Sequence, residues 1–464
     1  MKQLSTNKKN TVDTIQENTR KLIIGNVGAE SLVGEPDKLS EKNSAMWTSF
    51  SYRLAWLLEK GDILLIPKQI SDEFLTYILS LKGLNKEDIY VVVPENVHYK
   101  QLLTYETLNA PSLKTQLSTL MEGDKWEVIP YLFDRAVAQL IKDLPVNIKP
   151  HVREYFLQGG SEVLNSKVEY RRIAGAYNIP VPEGLNCYTM QELYNAVKEL
   201  ITKTGSVIVK QDLNASGQGN IAITYNNNDE SPGAFKTIQI NDRSDVETIS
   251  NNIWEELTGV LNTKLVVETY YETVSVFYAE LEVKEGTLRP YLLNHGDMRM
   301  EPVWNGFEIP TASLGPYAIG EFICNCTKLT EIVMQRGYVG LINIDGFLTK
   351  DGVVMISEIN GRTGGSTHVH SVAKDLYGEN YGDSYTILTQ NKVSIGDTAF
   401  GELLNRLKDL DLLASKNKEG VILLNDEQQS KTIEYMVVGE SREKAYNLEK
   451  AFRTELKKMI GVRA

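Results

Sequence analysis

Short apolar runs separated by stretches of helical periodicity open the chain. Residues 21–25, 62–67 and 89–94 read as buried-type strands, and residues 46–60 and 71–81 carry apolar side chains at helical spacing between them. Strands alternating with helices predict a parallel α/β layer. From 112 to 173 the pattern is helix-rich. At 178–182 two prolines bracket a valine and end any helix. A helix is expected over 190–203, then strands over 206–210 and 220–225 with a glycine-containing loop between them. Strand patterns follow over 265–272, 273–283 and 287–293, and a helical pattern over 318–336. The chain closes with a strand pair, 420–424 and 432–438, and a long helix, 441–459. No internal repeat is present.

Between the last two groups lies an Asp-Gly pair, Asp351-Gly352, flanked by two β-rich runs. This is the strongest short hairpin signal. A two-residue turn pairs Lys350 with Val353, which sets Asp345 opposite Glu358 and Asn343 opposite Asn360. Alternation then puts these four side chains on one face. Like charges directly opposite each other are destabilising. A bound cation removes the conflict, and hard oxygen ligands without His or Cys suit Mg²⁺. A solvated face whose acids point at water explains the same pattern equally well. The run Gly361-Arg362-Thr363-Gly364-Gly365-Ser366 follows at once. Its glycines permit close backbone approach to a ligand, and Arg362 offers a planar fork to a phosphate or carboxylate. Together these point to phosphate chemistry.

Lys210 ends an apolar strand, and the next loop carries Ser216, Gly217 and Gly219. Such a loop can wrap a polyphosphate with its N–H groups. It is not a Walker A loop, since no Gly-Lys-Ser/Thr follows; a plain hairpin loop is the alternative. Gly25-Asn-Val-Gly28 is half of a dinucleotide fingerprint without its third glycine, and a tight strand-to-helix turn accounts for it as well.

Composition narrows the partners. A chain of 464 residues is long enough for two to four domains. The net charge of −12 argues against nucleic acid and anionic membrane. Three cysteines, Cys187, Cys324 and Cys326, form no disulfide framework and fit a reducing cytosol. No segment approaches the ~20 apolar residues of a membrane span. Residues 1–20 are polar, carry no signal-type apolar region, and are expected to form a disordered tail. A cytoplasmic location is expected.

The order Lys167, proline break, Lys210, glycine loop, Glu268, Asp345, Glu358, Asn360, Arg362, closed by GLINIDGF and MISEINGRTGG, resembles the ATP-grasp superfamily over residues 150–375. The whole length is similar to peptide ligases of the pheganomycin-synthesis type. The resemblance implies an α/β (α+β) chain: a tail, a Rossmann-like pre-ATP-grasp domain over 21–150, an ATP-grasp domain over 151–390 with its lid at 180–275, and a C-terminal αβ segment over 391–464. It implies ATP contacts from Lys167, Lys210, Ser216, Gly217 and Gly219, and an adenine-binding segment from Val267, Glu268, Thr269 and Tyr270, with Glu272 toward the ribose. It implies Mg²⁺ on Asp345, Glu358 and Asn360, with Arg362 beside the transferred phosphate. The first metal position is Asp where the family often has Glu. The implied activity is ATP- and Mg²⁺-dependent joining of a small-molecule carboxylate to an amine, amino acid or peptide, through an acyl phosphate. A homodimer is compatible with this reading. Arg299, in a polar stretch with His295, Asp297 and Glu301, is a second catalytic candidate, and Ser366, His368 and His370 are candidates for the acceptor pocket or for packing. A non-catalytic ATP-binding regulator and a nicotinamide-dependent oxidoreductase using Gly25–Gly28 remain as alternatives.

Overall fold

The computed structural model describes residues 19–33, 36–123, 125–214, 219–225, 231–259 and 262–461. All but the last two residues of the expected tail lie outside this set. Three sheets organise the chain. The first is parallel, with strands β1 (Arg20–Ile24), β2 (Ile63–Leu65), β3 (Tyr90–Val92) and β4 (Trp126–Pro130) in the order β3-β2-β1-β4. Leu22, Ile24, Ile63 and Leu65 face one core with Leu108, Leu117 and Trp126, while Ile23 and Leu64 face the other. Burial on both faces is why these strands read as unbroken apolar runs.

The helix expected over 46–60 begins earlier, as Glu41–Ser51, where the Ser40 hydroxyl accepts the Asn43 N–H at 3.1 Å. It then tightens into the 3₁₀ segment Tyr52–Leu57. β4 lies inside the stretch expected to be helical. The 71–81 expectation is met by Asp72–Lys82, closed by Gly83 in the left-handed region.

The second sheet contains β5 (Gly184–Cys187), β6 (Ser206–Gln211), β7 (Asn220–Thr224), β8 (Lys236–Gln239) and β9 (Leu265–Thr269), in the order β5-β9-β6-β7-β8. The helix Met190–Thr204 packs its Leu193, Val197 and Leu200 against Val207 and Val267. The third sheet has eight strands: β10 (Thr273–Val283), β11 (Tyr291–Met300), β12 (Trp304–Ile309), β13 (Gly340–Thr349), β14 (Val354–Asn360), β15 (Thr386–Ser394), β16 (Gly420–Glu427) and β17 (Thr432–Gly439). Their order is β14-β13-β10-β11-β12-β15-β17-β16. The boundary drawn at 390 falls inside β15, and β16 and β17 extend the same sheet. The final helix, Arg442–Met459, seats Phe452 on Tyr435. A single apolar cluster joins Trp47, Trp56 and Phe74 to Tyr435, Val437 and Phe452, so the C-terminal strands pack on the connections of the first sheet. Among the described residues no helix is long and apolar enough to cross a membrane.

Gly25 acquires a packing role here. Its N–H donates to the Leu65 carbonyl at 2.8 Å, and a Cβ at this position would lie 2.8 Å from the Ser51 Cβ and 3.0 Å from the Ile66 Cγ2. At Gly28 a Cβ would meet the Leu102 Cδ2 at 2.4 Å. Gly25 lets the end of β1 approach the helix Glu41–Ser51, and Gly28 lets the following turn pack on Leu102, which agrees with the strand-to-turn explanation. Gly25→Ala is therefore expected to cost about 1–3 kcal/mol of stability through overpacking, read from urea unfolding. Nucleotide affinity measured by calorimetry should stay unchanged; a variant of native stability with lost affinity would restore the fingerprint.

Candidate active site

The site is built on the β13–β14 hairpin. Asp345 pairs with Glu358 and Asn343 with Asn360, as the alternation predicts. The turn differs. It is a three-residue loop, in which the Thr349 N–H donates to Val353 at 3.0 Å and Gly352 takes φ +82°. Three-residue hairpins place glycine at such a left-handed position. The extra residue shifts the register by one, so Leu348 faces Val354. A bulge at Ser357 shifts it back before the acidic pair. Two irregularities cancel, and the predicted register survives at the carboxylates.

β10 continues the two rows. Tyr278 lies beside Asp345, and Glu280 beside Asn343. Burial pushes the Asp345 carboxyl well above the usual range, and adjacent Glu358 pushes it further. At Glu358 burial pulls the same way but is outweighed by Lys167 and Lys210, so this partner is held low and ionised. The two facing carboxylates thus differ in how readily they ionise, and a divalent cation would favour the ionised form of both. Asn360 donates to Glu358 Oε1 at 3.2 Å. Among the described residues no group of three or more His, Cys, Asp or Glu side chains gathers in metal-binding fashion. The donor set is two carboxylates and an amide oxygen, which suits Mg²⁺ when phosphate oxygens complete the shell.

Cations converge from the second sheet and its neighbours. Lys167, in the first turn of the helix Lys167–Ala176, is buried with its Nζ 3.5 Å from Glu358 Oε2 and donating to the Asn214 carbonyl at 3.2 Å. Asp212 fixes that helix to the loop after β6 by accepting the Ser166 hydroxyl at 2.7 Å and the Val168 N–H at 2.9 Å. Lys210 Nζ lies 2.6 Å from Glu268 Oε2, and Arg171 takes Glu268 Oε1 at 2.6 Å. Arg171 escaped the sequence reading.

A cavity of about 220 Å³ takes in Lys210, Glu268 and the acidic pair; Lys167 and Arg171 do not line it and meet it only through Glu358 and Glu268. Ile208, Lys210, Glu268, Thr269, Tyr270, Asp345, Glu358, Asn360 and Arg362 line it. Other expected residues fall elsewhere. Val267 packs into the core of the second sheet, beside Leu185 of β5 and Val209 of β6. The N–H groups of Thr269 and Tyr270 already bond the carbonyls of Glu183 and Ser206. Glu272 pairs with Lys350 at 2.7 Å on the surface. Ser216 and Gly217 lie outside the described residues. Gly219 closes the β6–β7 connection, where a Cβ would sit 2.6 Å from that of Gln211. Arg299 does not reach the cavity: on β11 its neighbours Met298 and Met300 line it, while Arg299 binds both oxygens of Glu449 at 2.5 and 3.0 Å and anchors the final helix. It is a structural arginine. His370 contacts the Tyr381 hydroxyl at 3.0 Å, a packing position, whereas His368 lines the cavity.

The turn after β14 is shaped by contacts that exclude side chains. A Cβ at Gly364 would strike the Asn343 amide, and one at Gly365 the Trp304 ring at 2.6 Å. Glu280, absent from the sequence reading, holds this turn. Fully buried, it accepts from Asn294 at 2.8 Å, from Ser366 at 3.0 Å and from the Thr367 hydroxyl. Its only sequence signal is an acid in the middle of an apolar strand. Burial raises its pKa, against the hydrogen bonds that lower it. Glu280→Ala orphans the Asn294 and Thr367 donors, leaves Ser366 only Asn343 Oδ1 at 3.3 Å, and is expected to cost about 2–4 kcal/mol in urea unfolding; a loss under 1 kcal/mol would show that the turn is held by other contacts.

A parallel N-terminal sheet, a five-stranded sheet with its own helices and a large antiparallel sheet, enclosing one cavity between them, define the ATP-grasp fold with a pre-ATP-grasp domain. The family model of the pre-ATP-grasp domain matches residues 51–146. Among solved structures the chain is similar to biotin carboxylase from Campylobacter jejuni, a β-γ-ATP complex, at 12% identity and TM-score 0.60, covering 95% of this chain and 94% of that one. It is similar to L-amino acid ligase from Bacillus licheniformis at 15% identity and TM-score 0.52, covering 96% and 98%. It is also similar to N5-carboxyaminoimidazole ribonucleotide synthetase in complex with ADP, at 12% identity and TM-score 0.54, covering 94% and 96%. At these identities the likeness is one of fold. No curated protein matches the chain by sequence.

Proposed function

We propose that the chain is an ATP- and Mg²⁺-dependent ligase that joins a carboxylate to an amine, an amino acid or peptide, releasing ADP and phosphate. The observation that carries this reading is the facing Asp345–Glu358 pair, with Lys210 and Arg362 lining the same cavity and Lys167 3.5 Å from Glu358. Structures of like fold that hold ATP or ADP support it. Asp345, Glu358 and Asn360 would hold Mg²⁺, which supplies charge neutralisation at the β- and γ-phosphates. Lys167 and Lys210 place positive charge along the triphosphate. Ile208 and Tyr270 offer apolar surface to the base.

The substrate carboxylate attacks the γ-phosphorus; an O–P bond forms, the bond to the β-phosphate oxygen breaks, and ADP leaves. The amine nitrogen then attacks the acyl carbon, the C–O bond to phosphate breaks, and the nitrogen loses a proton as the amide forms. Arg362 lies where it can bind negative charge on the phosphoryl group. No protein nucleophile is required, so catalysis rests on positioning and on exclusion of water. ADP release from ATP and Mg²⁺ is expected only with a carboxylate substrate present, and hydroxylamine should trap the acyl phosphate as a hydroxamate. Nucleotide binding without ADP release, across pooled amino acids and peptides, would leave a passive binder.

A further inference from the structure

Beyond the carboxylate pair the cavity has an apolar wall. Trp47, Phe50 and Leu54 come from the first sheet's connection, and Met298, Trp304 and Phe307 from β11 and β12. Against this wall sits a buried ion pair: Arg53 Nε donates to Glu434 Oε2 at 2.6 Å, with side chains 9% and 3% exposed. Replacing such a pair by apolar residues is often neutral or stabilising, so folding alone does not explain its presence.

The pair is only half used. Glu434 takes the Nε edge, and Phe50 lies 3.7 Å below the guanidinium. Among the described residues Arg53 Nη2 is buried without a hydrogen-bond partner. The same is true of Trp304 Nε1, whereas His368 Nε2 faces Glu434 Oε2 at 3.3 Å. Arg53, Trp304 and His368 all line the cavity. Arg53 thus brings to the cavity wall a guanidinium of which only the Nε bond to Glu434 is used, in a place where buried polar groups are normally satisfied.

We propose that Arg53, positioned by Glu434, binds the unreacted carboxylate of the amine substrate, and that this substrate is an α-amino acid with a large apolar side chain. The inference rests on the ligase reading above. The reacting carboxylate belongs beside Arg362 and the acidic pair, so a separate anion site has to serve a group that does not react. An amino acid that attacks through nitrogen brings one such carboxylate, and the Trp47–Phe50–Phe307 wall receives its side chain.

The test is calorimetric titration of the full chain, preloaded with Mg²⁺ and a non-hydrolysable ATP analogue. Leucine, methionine, phenylalanine and tryptophan are each compared with their amides. At least one amino acid is expected to bind about 10-fold or more tightly than its amide. In Arg53→Met/Glu434→Gln, which leaves no unpaired charge, this preference should fall below about 2-fold while analogue affinity is kept. Equal binding of acid and amide, no binding by any of the four, or a preference that survives the double variant overturns the proposal; the last would place the amino acid at the reacting-carboxylate site. Failure of the analogue to bind at all would instead overturn the ligase reading.

Discussion

Glu358→Gln should reduce ATP-dependent turnover by about 10²-fold or more while the protein remains folded. The substitution keeps the shape of the side chain and removes one charge from the β13–β14 face. Three contacts explain the size of the effect. Glu358 faces Asp345 across the hairpin, lies 3.5 Å from Lys167 Nζ and accepts the Asn360 amide at 3.2 Å. In the proposed complex it binds Mg²⁺, and a neutral amide oxygen is a far weaker partner for a hard dication. Stability should move the other way or not at all, because like-charge repulsion between facing acids is relieved. The measurements are single-turnover ADP formation across a Mg²⁺ titration and thermal unfolding of the metal-free protein. Turnover within about threefold of wild type at saturating Mg²⁺ would remove Glu358 from the ligand set. A collapse in thermal stability would show that the Lys167 contact matters for folding.

The acidic hairpin was legible because its signals are local. An Asp-Gly turn and a two-residue side-chain period suffice to bring Asp345 to Glu358. The three-residue loop and the bulge at Ser357 were invisible, and they left the pairing intact only because their shifts cancel. Strand parity also explains where the reading went astray. Had β11 been extended to Met300, alternation would have sent Met298 and Met300 to one face and Arg299 to the other. The same rule separates Glu268, in the cavity, from Val267, in the core of the second sheet. β4 was missed because Trp126–Pro130 is a five-residue edge strand ending in proline, inside a helix-rich stretch. No local pattern announces Arg53 with Glu434, whose 381-residue separation is bridged only when the C-terminal strands pack on the first sheet's connection.

Arg362→Lys should lower turnover by about 10²–10³-fold, the range for losing one preorganised donor to a developing negative charge, while ATP affinity changes by less than about threefold. The guanidinium does work that an ammonium cannot. Nη1 donates to the Tyr131 hydroxyl at 3.0 Å and Nη2 to Asn360 Oδ1 at 2.9 Å. Among the described residues Nε is buried without a partner. One planar group therefore ties the residue after β4 to the end of β14, and Thr363 reinforces the junction by donating its N–H to the Tyr131 carbonyl at 2.9 Å and its hydroxyl to Pro130. Lysine keeps the charge but loses the fork, so it cannot hold Tyr131 and Asn360 at once and still face a phosphoryl group. Nucleotide binding is spared because Lys167, Lys210 and Ile208 stand on other elements. Tyr131→Phe separates the two parts of the argument: it removes one tether, leaves the arginine, and should cost only a few-fold in rate. Calorimetry with an ATP analogue and single-turnover ADP formation are measured on each variant. If Arg362→Lys abolishes nucleotide affinity while turnover per bound ATP is preserved, Arg362 is a nucleotide anchor and not a stabiliser of the transferred phosphoryl group.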